Sequence, residues 1–114
     1  PGIVRSLVDA GQTVFVDVTA AWCITCQANK SLVIEKAPVA PFIRDLVKTG
    51  KLVLLRADWT RPSSDIATFL ASYQRYGIPF NVVYGPNATN GIQLRELLSD
   101  ESVMVAINEA MKGR

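Results

Sequence analysis

A chain of 114 residues fits one domain, and it buries around a single core roughly two-thirds of the surface its unfolded form exposes. A net charge of +2 gives no electrostatic case for nucleic acid or an anionic membrane as the main partner, and no apolar run approaches the ~18 residues that span a bilayer. Two cysteines and no histidine exclude all-cysteine and mixed cysteine/histidine zinc sites and every Ser-His or Cys-His pair, which leaves a dithiol as the evident chemistry.

In chain order, apolar residues at Ile3, Val4, Leu7 and Val8 predict a helix that stops at Gly11. Thr13 to Thr19 is dense in β-branched and aromatic residues and reads as a strand buried on both faces. A helical pattern runs from Cys23 to about Lys36. Pro38 and Pro41 interrupt it, and a second short helix follows from Pro41 to Lys48. Leu52 to Ala57 reads as a second buried strand, with a loop from Asp58 to Pro62. Ser63, Ser64 and Asp65 are N-cap candidates for a helix to Tyr76, closed by Gly77. On that helix Phe69, Tyr73 and Tyr76 are expected in the core or on its flank.

Asn81 to Tyr84 and Ile92 to Glu96 read as a hairpin with a long, turn-rich loop over Gly85 to Gly91. Ser99 or Asp100 caps a last helix to about Lys112. Alternating elements of this kind predict an α/β fold with helices on both faces of a central mixed sheet. The chain starts at Pro1 rather than Met, so residues 1–114 read as one domain excised from a larger parent.

The segment that carries chemistry is Trp22-Cys23-Ile24-Thr25-Cys26, at the turn from strand to helix. Two intervening residues bring both sulfurs within bonding distance on one helical turn. Unpaired N–H groups at the helix start favour a thiolate at Cys23, and Cys26, one turn in, is expected to be the more buried of the two. Cys23 thiolate attacks a partner disulfide, and Cys26 then resolves the mixed disulfide; the motif does not fix the direction. The bland alternative is an inert bridge that stabilises little, because its loop is very short.

The run Val14 to Cys26, Val-Phe-Val-Asp-Val-Thr-Ala-Ala-Trp-Cys-Ile-Thr-Cys, resembles the active-site segment of thioredoxins, and Gly77-Ile78-Pro79 resembles that family's cis-proline loop. Element order matches over almost the whole chain. The Ile24-Thr25 spacer, the segment Leu54 to Thr60 and the run Tyr76 to Pro86 are similar to the C-terminal periplasmic domain of DsbD and its copper-tolerance relative ScsB. The resemblance implies a thioredoxin fold and a protein-disulfide reductase. Such a domain takes electrons from a transmembrane domain of the same membrane-bound parent and passes them to disulfides of periplasmic proteins. It uses no cofactor beyond its redox-active disulfide and binds no metal.

Asp17 lies six residues before Cys23, where the thioredoxin pattern has its buried acid. The resemblance makes it a proton acceptor for Cys26; the alternative is an edge-strand aspartate facing water. Arg56 is a candidate to pair with Asp17 through water. By the same resemblance Trp22, Ile78 and Pro79 form the substrate-binding surface, with Ile78 backbone open to an extended substrate strand. Trp59 is expected mainly to pack. Ile24, Thr25 and Lys30 are candidate tuning residues, and Lys30 departs from the DsbD pattern, which has an acid there. Two other classes remain: an oxidase or isomerase on the same fold, and a binding module with a structural disulfide and a buried Cys23.

A lysine one turn beyond Cys26 favours a thiolate where a glutamate opposes it. Titrating the alkylation rate of reduced protein against pH should therefore give a lower Cys23 pKa in wild type than in Lys30→Glu. Equal values would remove Lys30 from the tuning set.

Overall fold

In the computed structural model, which describes residues 2–113, the elements follow the order α1 (Gly2–Asp9), β1 (Thr13–Thr19), α2 (Ile24–Asn29), a π-helical turn (Lys30–Ile34), α3 (Val39–Lys48), β2 (Leu52–Asp58), α4 (Ser64–Ala71), β3 (Phe80–Gly85), β4 (Ala88–Gln93) and α5 (Asp100–Met111). The strands form one mixed sheet in the order β2-β1-β3-β4. β1 runs parallel to β2 and antiparallel to β3, and β3 is antiparallel to β4. This is the α/β architecture expected of the sequence.

Strand alternation sorts the core into two halves. Phe15, Leu52 and Val83 face one side, where α3, α5 and the π turn bring Val39, Ile43, Val103, Ile107 and Val33. Val14, Val16, Val18, Phe80 and Val82 face the other side, where α1 and α4 bring Val4 and Leu70. β1 and β3 thus have both faces covered, which is why they read as near-continuous apolar runs.

Several boundaries depart from the sequence reading. β2 is an edge strand whose residues alternate between enclosed and open after Leu52, so it is not a fully buried strand. The helix after the cysteines does not continue as one α-helix; it widens into the π turn at Lys30. α3 begins at Val39, before Pro41, because a proline in the first turn removes an N–H that has no helical partner. α4 ends at Ala71 rather than Tyr76: Gln74 takes φ 59, and Arg75 N donates to Leu70 O, closing the helix five residues early. Tyr73 there packs with Phe69 and Phe80, whereas Tyr76 stands 80% exposed rather than in the core or on its flank.

The second hairpin strand starts at Ala88, so the loop is short, and Leu94 to Glu96 lie beyond the strand. Gly91, read as part of the turn, sits inside β4 at φ 89, where a Cβ would press on Val82 and Tyr84. The serine caps are as the sequence indicates. Ser63 Oγ accepts from Ile66 N at 3.2 Å, and Ser99 and Ser102 form a reciprocal box at 3.1 Å each way.

Gly85 marks a close approach of β3 to α5, since a Cβ there would fall inside van der Waals contact of the Ala110 carbonyl. Gly85→Ala should therefore cost about 1–3 kcal/mol in denaturant unfolding. Gly77→Ala, with nothing within 4 Å of its Cβ, should stay within about 0.5 kcal/mol of wild type. Equal stability of the two variants would contradict the packing described.

Candidate active site

β1 ends at Thr19, and the chain turns through Ala20 to Trp22 into the N-terminus of α2. Cys23 is the N-cap: its backbone is extended (φ −89°, ψ 105°), and its Sγ accepts from Cys26 N at 3.1 Å. A sulfur therefore takes the place usually held by a serine or aspartate oxygen at a helix start. Cys23 and Cys26 are joined by a disulfide with their Cα atoms 5.2 Å apart. The two residues are about equally enclosed, at 6% and 5% exposure, so the expected difference in burial between them is absent in this oxidised state. Ala20 and the partly buried Ile78 pack against the pair.

Pro79 is buried, and the Ile78–Pro79 peptide bond is cis. Ala37–Pro38, which the sequence reading did not single out, is cis as well. Trp22 is 61% exposed beside Cys23, and Ile24 is also open to solvent, while Thr25 is half-buried.

The turn before Cys23 is tied down from the β2–α4 connection. Thr60 Oγ1 accepts from Ala21 N at 2.9 Å, and Thr60 O accepts from Trp22 Nε1 at 3.2 Å. Asp58 Oδ1 accepts from both the hydroxyl and the N–H of Thr60, and these bonds hold its carboxyl below the usual carboxylate range. Trp59 is half-buried and packs on the α4 side of the sheet, as expected of it. From the other side, Gln27 Nε2 donates to Ala20 O at 2.9 Å. Asn29 donates to Glu96 O at 2.7 Å and accepts from Leu98 N at 3.1 Å, which fastens α2 to the segment leading into α5.

Asp17 lies on β1, between β2 and β3, and not on an edge strand. Its register partners are Arg56 on β2 and Asn81 on β3. Alternation puts this row on the sheet face of Phe15 and Val83, the face that the π turn covers through Val33. Asn81 Nδ2 donates to Asp17 Oδ1 at 2.8 Å, and Arg56 Nε reaches Asp17 Oδ2 directly at 3.9 Å. Burial pushes the Asp17 carboxyl up, against the lowering effects of Asn81, Arg56 and Lys30. Lys30 also pairs with Glu35 at 3.8 Å, so its charge is shared between a partner on its own segment and the Asp17 row.

Sequence reasoning missed Asn81, the buried amide of a strand that is otherwise apolar. The signal was present, because a polar side chain inside a doubly buried strand needs a partner. No cluster of three or more His, Cys, Asp or Glu residues suited to a metal ion occurs among the described residues, and none of their helices is long and apolar enough to cross a membrane.

Comparison with known proteins agrees with this geometry. The family described as thioredoxin-like matches residues 4–86. The chain superposes on the C-terminal domain of DsbD from Neisseria meningitidis in its oxidised form, with TM-score 0.70 and 15% identity over 96% of this chain and 90% of that one. The reduced form gives TM-score 0.70 and 15% identity over 96% and 91%. A mutant thioredoxin from Halobacterium salinarum gives TM-score 0.63 and 14% identity over 98% and 86%. At these identities the likeness speaks to the fold. No curated protein sequence matches the chain.

The part-buried Asp17 carboxyl carries a pH signature. Below the unfolded value of 3.8 Asp17 is neutral in both states; as pH rises from there through its higher folded value, wild type loses stability. Asp17→Asn lacks that loss and keeps an acceptor for Asn81. Its stability relative to wild type should therefore grow across that window, by about 1.4 kcal/mol per unit of upward shift. Guanidinium unfolding at a series of pH values measures this, and a pH-independent difference would contradict it.

Proposed function

Since the chain belongs to the thioredoxin-like family, we propose that it is a protein-disulfide reductase. In this reading residues 1–114 are one domain of a membrane-bound parent, placed in the periplasm, and a transmembrane domain of that parent supplies the electrons. The observation that carries the exchange chemistry is the cap of α2: Cys23 Sγ receives the Cys26 N–H, a bond that favours thiolate at Cys23 once the disulfide opens. The Ile24-Thr25 spacer, similar to the DsbD type, supports the reductase direction.

In the reduced protein Cys23 thiolate attacks one sulfur of a substrate disulfide. That S–S bond breaks, the first substrate sulfur leaves as thiolate and takes a proton from solvent, and a Cys23–substrate disulfide forms. Cys26 then gives its proton to Asp17 and attacks Cys23 Sγ. The Cys23–Cys26 disulfide forms, the second substrate thiolate leaves and is protonated in turn, and two electrons have passed to the substrate. A donor dithiol returns the pair to its reduced state by the reverse exchange. In this reading Trp22, exposed next to Cys23, and Ile78, packed against the pair, form with Pro79 the surface against which the substrate chain lies.

One observation favours a second reading, a binding module with a structural bridge: Cys23 is as enclosed as Cys26. Single-cysteine variants separate the two. With a substrate such as oxidised insulin, Cys26→Ser should accumulate a mixed disulfide through Cys23, Cys23→Ser should form none, and both should reduce insulin only at the uncatalysed rate. Absence of the adduct in Cys26→Ser, with no turnover by wild type, would make the bridge structural.

A further inference from the structure

We propose that Asn81 is a positioning residue for Asp17: its side-chain amide orients the part-buried carboxylate and keeps it in the ionised form that can receive a proton. The inference rests on the reading of Asp17 as proton acceptor.

Asp17 and Asn81 face each other directly in the antiparallel register of β1 and β3, where opposed side chains lie close enough to interact. Asn81 is almost wholly buried in a strand that is otherwise apolar or glycine, so its amide has little water to bond to. Its Nδ2 donates to Asp17 Oδ1 at 2.8 Å, while its backbone carbonyl is occupied by Leu94 N at 2.9 Å. The carboxylate, an acceptor only, fixes which end of the amide faces it.

Among the described residues Oδ2, by contrast, has only Arg56 at 3.9 Å, from a side chain that is half exposed and therefore screened. The charged groups acting on Asp17 among the described residues are Arg56 on β2 and Lys30 on the π turn, and Lys30 is shared with Glu35. Among the described residues the close, part-buried bond comes from β3. An amide also suits both states of a proton acceptor, since it donates to a carboxylate and can turn to accept from a carboxylic acid. An apolar residue of similar size would serve neither.

The test follows the Asp17 carboxyl carbon and the Asn81 side-chain amide by NMR across pH in the oxidised protein. In wild type the amide protons should titrate with the Asp17 midpoint. Asn81→Leu and the smaller Asn81→Ala, each checked for a native spectrum, should move that midpoint up by about one pH unit or more. An amide that ignores the Asp17 titration in wild type overturns the proposal without any variant, and an unmoved midpoint in a folded variant does the same. A residue that only fills space would leave the midpoint in place.

The reduced protein gives the second readout, the pH profile of disulfide exchange. Asn81→Leu should shift it upward in the wild-type background and leave it unshifted in Asp17→Asn; a shift in both backgrounds overturns the proposal. If Asp17→Asn alone exchanges with the wild-type profile, the proton-acceptor reading fails. The NMR midpoint still decides whether Asn81 governs the carboxyl, so the two failures are distinguishable.

Discussion

A carboxylate set into the middle of β1 costs several kcal/mol unless its charge is met by donors or cations. β1 has strands on both sides and helices on both faces, so the Asp17 side chain is largely enclosed, with 20% of its surface exposed. The register answers the cost across the sheet, with Arg56 on one side and Asn81 on the other. The same register brings the end of β1 to the cysteine turn, so the strand that holds the acid also delivers the sulfurs.

The turn itself is held by short polar contacts rather than by a large apolar contact. Thr60 fixes the backbone before Cys23 and the indole of Trp22, Gln27 fixes the carbonyl of Ala20, and Asn29 anchors the far end of α2. This leaves Trp22 and Ile24 open beside an enclosed disulfide. A site built this way surrounds the sulfurs with an exposed apolar rim.

Much of this was legible in the residues. The element order, the mixed sheet, the thioredoxin likeness and the serine caps at Ser63 and Ser99 all follow from local patterns that tertiary packing did not override. What was missed depended on neighbours. Leu52 to Ala57 looks buried from composition, yet β2 lies at the sheet edge, a matter of strand order that periodicity does not carry. The early end of α4 is set by Gln74 taking a left-handed turn as Tyr73 joins the ring cluster, not by the waiting Gly77. The partner of Asp17 needed the β1–β3 register, because Asn81 is 64 residues away along the chain. Arg56 reaches the acid directly where the sequence suggests a bridging water, and that reach needed the parallel pairing of β1 and β2.

The central claim is that the Cys23–Cys26 pair passes electrons outward to protein disulfides, and its reduction potential tests this most directly. Equilibrated against a glutathione buffer, the pair should show a value near or below about −200 mV, as befits a reductase. A value near about −120 mV would make the protein an oxidant and reverse the proposed flow. A pair that failed to equilibrate would be a structural bridge, and the account of the site as an exchange centre would fall with it.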